Sequence, residues 1–551
     1  AHPRRIRGIA LCPRRSPQLM ALTFSILVTD NISGSGLQPL REDSQFELVE
    51  INDSSSTDFR NALTSADGLI VRSATKVDSD MLAEAQSLKV IGRAGVGVDN
   101  IDLDAATERG IAVLNAPAGN TVSAAELTLA LMLSVVRRVP GADASVRRGE
   151  WDRGRFKGAE LRGRTLGLVG AGRVGQEVAQ RCRAFGMQVV VSDPYLTDAR
   201  AKELGLDRAD LGTVIESADV LSLHVPLTDD TRGMIDQKII SRMKKSAFIV
   251  NVSRGQVIDE AALAVALNEE RIAGAALDVY ENEPLEDDSP LRKAPGVVLT
   301  PHLGASTLEA QELVATEISG AVKAALLEGD LSHALNAPAF GGATLQECGP
   351  VFALGQHLGI LACALARGGI RGIEVRYSGE LEEVLPPLTA YVLMGLLKNI
   401  MGSRKVNFVS AGYLARQRGI GISQAHLSRR TDYSEFVEII VKAEGEDLRL
   451  AGALLGDLHP RIVRIRDYHV DIVPDGTLIV LRNQDVPGVI GRVGTLLGAH
   501  AINIAEYHQA RLTAGGEAIA AIAVDGTVDS KVRDALVDLP EVSTAVVVKL
   551  S

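Results

Sequence analysis

Residues 166–193, LGLVGAGRVGQEVAQRCRAFGMQVVVSD, carry three glycines in the spacing GxGxxG between two apolar runs. Gly170 allows a tight turn after a strand, Gly172 lets the backbone approach a pyrophosphate, and Gly175 lets the following helix pack against that strand. The N-terminus of the helix then faces the negative charge. A glycine turn without a ligand is the alternative, but the full strand–turn–helix–strand pattern favours a doubly wound parallel sheet that binds a dinucleotide.

An acidic residue closes the second apolar run and indicates which dinucleotide is bound. Asp193 stands 18 residues after Gly175, where a carboxylate accepts hydrogen bonds from the ribose hydroxyls of the adenosine. The same carboxylate repels the extra phosphate of NADP, and no arginine follows in DPYLTD, residues 193–198. The sequence therefore predicts NAD as the cofactor.

Length and charge limit the classes of protein that fit. The chain has 551 residues, which predicts about three or four domains of ~100–200 residues each. Its net charge of −11 argues against a nucleic-acid-binding surface, which needs basic residues to neutralise phosphates. No apolar run reaches the ~20 residues of a membrane-spanning helix. We therefore expect neither nucleic acid nor a membrane as a partner.

The cysteines indicate the redox compartment. They form no CxxC pair and have no metal-ligand spacing, so we interpret them as free thiols in a reducing cytosol and predict a cytoplasmic protein. The four are Cys12, Cys182, Cys348 and Cys363.

The first 19 residues differ from the rest of the chain. Residues 1–19 contain five arginines, no acid and no continuous apolar core, which excludes a secretory signal. A transit segment, a disordered tail and a true start at Met20 remain open.

The order of apolar runs divides the chain into four predicted domains. Short strands alternate with helices up to residue 118 and again from about residue 165, as in parallel sheets. The run NAPAFGGA, residues 336–343, predicts a linker, and the last ~75 residues follow the ferredoxin-like order β-α-β-β-α-β. The predicted fold class is α/β, with a doubly wound Rossmann NAD-binding domain (119–305) inserted in a flavodoxin-like substrate-binding domain (20–118 and 306–338), followed by an intervening α+β domain (339–473) and a ferredoxin-like domain (474–551).

Three longer elements are predicted within these domains. Apolar periodicity predicts one helix over residues 121–139 and another over 307–329. The run HPRIVRIRDYHVDIVP, residues 459–474, predicts one long strand.

Four reactive side chains lie at or just beyond predicted strands of the second sheet. Arg254 follows AFIVNV, Asp278 and Glu283 fall at the end of and after IAGAALDV, and His302 follows GVVLTP. The carboxyl ends of parallel strands meet at one edge, so we expect these side chains in one crevice beside the nicotinamide. A histidine is the natural base for a hydroxyl proton, a glutamate fixes its tautomer, and an arginine holds a carboxylate. The set predicts oxidation of a 2-hydroxy acid, with Asp278 toward the nicotinamide carboxamide.

Each of these residues alone has a less specific interpretation. A lone histidine is most often a satisfied structural residue, Arg254 alone fits a surface ion pair, and Glu283 alone fits a solvated loop acid. A metal site at His302 is disfavoured, because no cluster of cysteine, histidine and aspartate accompanies it.

Five ordered motifs together resemble the D-2-hydroxyacid dehydrogenase family. They are GRAGVGVDN (92–100), LGLVGAGRVG (166–175), NVSRGQVIDE (251–260), ALDVYENEP (276–284) and TPHLGAS (300–306). The resemblance covers residues 22–335 and implies that Arg254, Glu283 and His302 are the catalytic set, with His302 as the acid/base. The NAD contacts it implies are Gly170, Gly172, Arg173, Val174, Gly175, Asp193, Val225, Val252, Ser253, Asp278, His302 and Gly304.

Two further arginines bear on the identity of the hydroxy acid. Arg72, in GLIVRSATKV, and Arg93, in KVIGRAGVGVDN, are either solvated residues or an anion clamp that faces Arg254. These motifs are most similar to family members that act on a phosphorylated acid, which implies D-3-phosphoglycerate as the substrate and the first step of the phosphorylated route to L-serine as the reaction. The implied substrate contacts are Arg72, Ser73, Arg93, Gly95, Arg254 and His302.

The same resemblance places four more residues near the cleft. It implies that Asn115 and Asn120 lie close to the active site. Val96 and Val225 stand where some members have threonine, so any cofactor contact at Val96 is expected to come from the backbone, and the side-chain contact at Val225 is in question for the same reason.

Residues 482–507, RNQDVPGVIGRVGTLLGAHAINIAEY, resemble an ACT domain, a small-molecule-sensing module of amino-acid biosynthetic enzymes. Asn483 and Asp485 precede a helix N-terminus and Asn503 enters from the next strand, and such groups are able to hold a zwitterion. The resemblance implies inhibition by L-serine at an interface between two copies, and hence a homo-oligomer, dimer or tetramer. A module that serves oligomerisation alone is the alternative.

Two other functions remain open from the sequence. One is a reductase for hydroxypyruvate or glyoxylate, and the other is a non-catalytic NAD-sensing protein that binds protein partners. Residues 342–470 resemble the intervening domain of longer family members and carry no motif that decides between them.

Overall fold

Four β-sheets follow one another along the chain. The computed structural model describes residues 23–398, 400–401, 406–428, 433–456 and 458–550. The predictions about residues 1–19, Met20 and Cys12 lie outside these residues. Within the described ranges, no helix is both long enough and apolar enough to cross a lipid bilayer.

The first sheet is parallel, with the strand order β2-β1-β3-β4-β5 of flavodoxin-like folds. Its strands are β1 (Phe24–Val28), β2 (Phe46–Glu50), β3 (Gly68–Val71), β4 (Val90–Arg93) and β5 (Ala112–Asn115). Its helices are α1 (Gln38–Arg41), α2 (Thr57–Ser65), α3 (Ser79–Glu84) and α4 (Leu103–Glu108). The strands are short and almost wholly apolar because helices cover both faces.

The second sheet is also parallel and doubly wound, with the order β12-β11-β10-β9-β6-β7-β8. Its strands are β6 (Thr165–Val169), β7 (Gln188–Ser192), β8 (Asp207–Arg208), β9 (Val220–Leu223), β10 (Phe248–Asn251), β11 (Gly274–Leu277) and β12 (Val297–Leu299). The helices are α5 (Thr121–Val136), α6 (Val139–Arg147), α7 (Arg173–Ala184), α8 (Asp198–Leu204), α9 (Leu211–Ser217), α10 (Gln237–Arg242) and α11 (Glu260–Asn268). The strand order reverses between β6 and β9, which is where such sheets bind ligands.

A long helix returns the chain to the first sheet. Helix α12 (Leu308–Glu328) begins at Thr307, whose side chain accepts a hydrogen bond from the Ala310 amide, and ends at Gly329 in the left-handed conformation. The predicted helix is thus confirmed. A Cβ atom on Gly92 would lie 2.7 Å from the Val322 side chain, so the glycine lets α12 lie close against β4 and fixes the position of the next residue, Arg93.

Two of the predicted long elements exist but end earlier than predicted, for the same reason. The helix predicted over 121–139 ends at Val136, and Arg138 (φ +57°) separates α5 from α6. The strand predicted over 459–474 is broken at Arg466 (φ +56°). In each case the element ends at an arginine in the left-handed conformation. Glycine is the residue that usually adopts this conformation, so nothing in the sequence indicated either break.

The third sheet is mixed, with the order β14-β13-β15-β16-β17-β18, in which only β13 and β14 pair in parallel. Its strands are β13 (Ile370–Ser378), β14 (Gly421–His426), β15 (Glu435–Ala443), β16 (Leu448–Leu455), β17 (His459–Ile465) and β18 (Tyr468–Ile472). Its helices are α13 (Gly342–Glu347), α14 (Gly349–Leu365), α15 (Leu385–Leu397) and α16 (Ala411–Gln417). Helix α14 packs between this sheet and the fourth one.

The fourth sheet is antiparallel, with the order β20-β21-β19-β22. Its elements are β19 (Thr477–Gln484), α17 (Val489–Ala499), β20 (Ile504–Arg511), β21 (Glu517–Val524), α18 (Ser530–Val537) and β22 (Val542–Lys549). This is the predicted ferredoxin-like order, and the α/β fold class with a Rossmann sheet is confirmed. The exact domain boundaries stay predictions.

Candidate active site

The glycine turn after β6 is tight on its inner side and open on its outer side. Gly170 has a φ of +94°, and a Cβ atom there would lie 2.4 Å from the His224 carbonyl oxygen. A Cβ on Gly175 would lie 2.3 Å from the Gly170 carbonyl oxygen, whereas no described atom lies within 4 Å of the corresponding position on Gly172. The turn therefore leaves room for a pyrophosphate where Arg173 and Val174 open α7.

Asp193 lies at the end of β7 and is held against this turn. Its Oδ2 accepts a hydrogen bond from the Ala171 amide at 2.7 Å, and its Oδ1 accepts one from the Tyr195 amide at 2.8 Å. Each carboxylate oxygen keeps a lone pair for a ribose hydroxyl. The residues around the turn thus fit the adenosine and pyrophosphate of NAD.

Other residues predicted to contact NAD continue from the turn toward His302. The Val225 side chain lies 3.1 Å from the Cβ position of Gly170, and Val252 lies 3.4 Å from that of Gly304. Ser253 is fixed by Asn251, whose Oδ1 accepts hydrogen bonds from both its amide and its hydroxyl. The contacts of these residues with NAD stay predictions.

The structure brings His302 and Glu283 into direct contact. His302 Nδ1 lies 2.7 Å from Glu283 Oε2. A carboxylate only accepts hydrogen bonds, so Nδ1 carries the proton and the neutral imidazole has its lone pair on Nε2. Partial burial raises the pKa of Glu283, but the hydrogen bond and charge of His302 outweigh burial and hold the net pKa below its usual value. Glu283 is therefore an anion throughout the neutral pH range.

Asp278 holds the loop that presents His302. Its side chain is fully buried, and it accepts hydrogen bonds from the Leu303 amide (2.7 Å), the Gly304 amide (2.9 Å) and the Thr300 hydroxyl (2.6 Å). Burial raises its pKa, and these hydrogen bonds offset part of the shift. The observed role of Asp278 is to fix residues 300–304, and its contact with the nicotinamide carboxamide stays a prediction.

Arg254 joins the two parallel sheets. Its Nε donates to Asp99 Oδ2 at 2.8 Å, and its Nη1 donates to the Ser253 carbonyl at 2.8 Å. Asp99 lies after β4 of the first sheet, whereas Arg254 follows β10 of the second. A Cβ atom on Gly97 would lie 1.8 Å from Arg254 Nη2, so this glycine is needed for the guanidinium to lie across the loop.

Arg72 and Arg93 lie in the same electrostatic neighbourhood as Arg254. Burial, together with the charges of Arg254 and Arg72, lowers the pKa of Arg93 to about 10, and the charge of Asp99 offsets part of this shift. The Nε of Arg93 is buried without a hydrogen-bond partner among the described residues. Of the three guanidinium groups, only Arg254 has an ion-pair partner among the described residues, Asp99, so a ligand with two anionic groups would complement the cluster.

The smaller polar residues of the first domain support this cluster. Asn115 is buried and its Nδ2 donates to the Val96 carbonyl at 2.7 Å, so it fixes the loop that carries Arg93 and Gly95. Ser73 is exposed beside Arg72. Asn120 lies at the start of α5 with a buried Oδ1 that has no partner among the described residues.

Comparison with known proteins agrees with this geometry. A family model described as D-isomer specific 2-hydroxyacid dehydrogenase, NAD binding domain, matches residues 129–304, and models of the D-3-phosphoglycerate dehydrogenase intervening domain and of the ACT domain match 347–466 and 477–541. The D-3-phosphoglycerate dehydrogenase of Bacillus subtilis is 40% identical over 528 residues, which is 96% of this chain and 100% of that protein. The chain belongs to the D-3-phosphoglycerate dehydrogenase family.

Two further relatives agree with this assignment. The D-3-phosphoglycerate dehydrogenase of Methanocaldococcus jannaschii is 40% identical over 95% of this chain and 99% of its own. The crystal structure of D-lactate dehydrogenase from Aquifex aeolicus complexed with NAD and lactic acid matches 57% of this chain and 100% of its own, with 30% identity and a TM-score of 0.50. The protein is an NAD-dependent dehydrogenase, and this decides against a non-catalytic sensor.

Two positions of this phosphoglycerate dehydrogenase family member were missed by sequence reasoning. Asp99, the partner of Arg254, lies inside the motif GRAGVGVDN, but nothing in the motif indicates that it reaches the second sheet. Asn251 is fully buried, and its Nδ2 donates to the Arg254 carbonyl at 2.9 Å. A polar residue at the end of an apolar strand was the available signal for Asn251.

The three predicted effector residues of this dehydrogenase do not come together within one chain. Asp485 lies beside Gly516, and its carboxylate is bonded to Arg511 at 2.6 Å. Asn503 lies beside Asp525. Strand β21 separates these two ends of the sheet, and nine residues of strand span about 30 Å. Asn483 is on the Asp485 side, buried, with its Oδ1 unpartnered among the described residues.

Replacing Glu283 tests its role as the partner of His302. We expect Glu283→Gln to lower kcat about tenfold and to shift the acid limb of the pH–rate profile for oxidation to lower pH, because a neutral amide no longer favours the imidazolium. The measurement is kcat for NAD reduction between pH 5 and 9. Glu281→Gln, an exposed neighbour, is the control, and an unshifted profile in Glu283→Gln would contradict the assignment.

Replacing Asp193 tests the choice of cofactor. Asp193→Ala is expected to weaken NADH binding about tenfold, through the loss of charge-assisted hydrogen bonds, and to reduce the preference for NADH over NADPH. Fluorescence titration with both cofactors measures this. Asp58→Ala, an exposed acid on α2, removes the same charge elsewhere. A preference for NADH that persists in Asp193→Ala would show that other residues select the cofactor.

Proposed function

We propose that this dehydrogenase oxidises D-3-phosphoglycerate to 3-phosphohydroxypyruvate, the first step of the phosphorylated route to L-serine. The observation that carries the proposal is the cluster of Arg72, Arg93 and Arg254 in the cleft that also contains the Glu283–His302 pair. A substrate with a carboxylate and a phosphate supplies the two anionic groups that this cluster needs. The curated relatives of similar length carry the same activity in their names.

Each residue of the site has a separate role in the reaction. When bound, NAD supplies the acceptor for the hydride that leaves C2 of the substrate. His302 takes the hydroxyl proton on Nε2, and the ionised Glu283 stabilises the imidazolium that results. Arg254 binds the substrate carboxylate and polarises the forming carbonyl, and Arg72 and Arg93 bind the phosphate. In the reverse direction His302 returns the proton.

The substrate preference tests the proposal directly. NADH oxidation is measured with 3-phosphohydroxypyruvate and with hydroxypyruvate, and kcat/KM is compared. We expect a preference of ~100-fold or more for the phosphorylated acid, which corresponds to about 2.7 kcal/mol of transition-state binding. Equal values would overturn the proposal in favour of a hydroxypyruvate or glyoxylate reductase.

We further propose that L-serine inhibits the enzyme at a site between two ACT domains. Because Asp485 and Asn503 lie at opposite ends of one sheet, a site that uses both needs the Asp485 end of one copy and the Asn503 end of another, so the active form is a homo-oligomer, dimer or tetramer. Titration of the initial rate with L-serine tests this. Inhibition that is lost in both Asp485→Ala and Asn503→Ala supports a shared site, whereas inhibition unchanged in either excludes it.

The free thiols support a working location in the cytoplasm. Cys182, Cys348 and Cys363 are unpaired in the structure, as expected for a protein that works under reducing conditions.

A further inference from the structure

A cavity of about 340 Å³ lies between the third and fourth sheets, far along the chain from the catalytic residues. We call it the interdomain cavity. Its walls are the end of α14, the end of β17, the central strands β19 and β21, the edge strand β22 and the end of α18. It is lined by Ala364, Leu365, Ala366, Arg367, Ile465, Arg466, Val480, Arg482, Ile519, Val537, Ser543, Thr544, Ala545 and Val546.

The cavity interrupts an otherwise continuous apolar core. Leu478, Val480 and Ile519 of the fourth sheet belong to the same buried cluster as Leu358 and Leu361 of α14. The cavity is open to solvent on one side, where Arg367 and Ser543 are exposed. Its size lies at the lower end of the range of small-molecule sites, and interfaces between domains are a common place for them.

Arginines form the polar rim. Arg482 pairs with Glu517 at 2.5 Å through Nη2, but its Nε is buried with no hydrogen-bond partner among the described residues. Arg466 pairs with Glu446 at 2.6 Å. Arg367 makes no ion pair among the described residues and is exposed at the mouth.

Two of the three arginines are paired. Arg466 and Arg482 each pair with a glutamate, whereas Arg367 makes no ion pair among the described residues. Thr544 is the cross-strand neighbour of Arg482 and adds a hydroxyl on the same face of the sheet. An anionic head with an apolar body would complement both the arginines of the rim and the aliphatic side chains that line the cavity.

We propose that the interdomain cavity binds a small organic anion with an apolar body, such as a medium-chain carboxylate. The head lies against Arg482 and Arg367, and the body lies along Leu365, Ile465 and Val480, which line the cavity. Since the walls come from both the third and the fourth sheet, the bound molecule contacts the intervening and ACT domains at once. This site is separate from the catalytic cleft and does not depend on the proposed substrate.

Calorimetric titration of the full-length protein with octanoate tests the proposal. We expect one octanoate per chain, with affinity at least about tenfold weaker in Arg482→Met, because methionine keeps the apolar volume and removes the charge-assisted hydrogen bonds. The neutral analogue 1-octanol is expected to bind at least about tenfold more weakly than octanoate. Arg367→Met is the second variant, since an exposed arginine without an ion pair is replaced with little effect on folding.

Two controls locate the binding. Arg371→Met removes an exposed arginine that lies outside the cavity, and Arg72→Met removes one from the catalytic cleft; octanoate affinity is expected to be unchanged in both. Weaker binding in Arg482→Met or Arg367→Met, with both controls unchanged, supports the proposal. The absence of saturable binding below ~10 mM, an octanoate affinity unchanged from the wild type in both cavity variants, or a loss of affinity in Arg72→Met overturns it.

Discussion

His302→Gln is expected to lower kcat by ~10³-fold or more while the dissociation constant of NADH changes little. The substitution removes the group that accepts the hydroxyl proton, and a positioned general base contributes ~10²–10⁴-fold to such a reaction. The glutamine still occupies the loop that Asp278 fixes through Thr300, Leu303 and Gly304. The measurement is steady-state NAD reduction, together with fluorescence titration of NADH.

The control for this prediction removes a histidine elsewhere. His500, at the end of α17, is exposed, and His500→Gln is expected to leave kcat unchanged. If His302→Gln retained more than about a tenth of the wild-type kcat, another group would have to be the base, and the contact between His302 and Glu283 would be structural only.

Arg72→Met is expected to lower kcat/KM for D-3-phosphoglycerate by ~100-fold and to leave kcat/KM for D-glycerate almost unchanged. The loss corresponds to about 2.7 kcal/mol, the size of one or two charge-assisted hydrogen bonds to a phosphate. Arg72 is a better test than Arg93. Arg93 is buried and lies close to Gly95, so its removal would also disturb the local packing.

The matched control is Arg60→Met, an exposed arginine on α2, which keeps both kcat/KM values. The ratio of the two kcat/KM values is the quantity that decides, because a general loss of stability lowers both together. A uniform fall in Arg72→Met would place the phosphate elsewhere.

Sequence patterns predicted most of the site residues that lie on strands and helices or directly after them. The glycine turn at Gly170, the carboxylate of Asp193 and the strand ends at Arg254 and His302 follow from the geometry of parallel sheets, because each residue's place is set by its distance from an apolar strand. The contact between Glu283 and His302 could be predicted because the two residues lie on loops that follow the neighbouring strands β11 and β12.

The features that the sequence did not predict depend on contacts between distant residues or on rare backbone conformations. Asp99 is 155 residues from Arg254 along the chain, and no local pattern specifies how the two sheets face each other. Arg138 and Arg466 adopt left-handed conformations that arginine seldom takes, so neither break had a glycine to mark it. Asn503 and Asp485 are separated because they lie at opposite ends of the strands of one sheet. The composition of the sequence does not encode this arrangement.

The ion pair between Asp99 and Arg254 connects two bodies that a hinged cleft would move apart. If the cleft opens, the pair breaks, and Arg254 then faces solvent with its charge uncompensated. Both charged groups then line the cleft, and the guanidinium is free to bind the carboxylate of a substrate. In the observed arrangement the Asp99 carboxylate accepts from Arg254 Nε at 2.8 Å, so Asp99 competes with the substrate carboxylate for the same guanidinium.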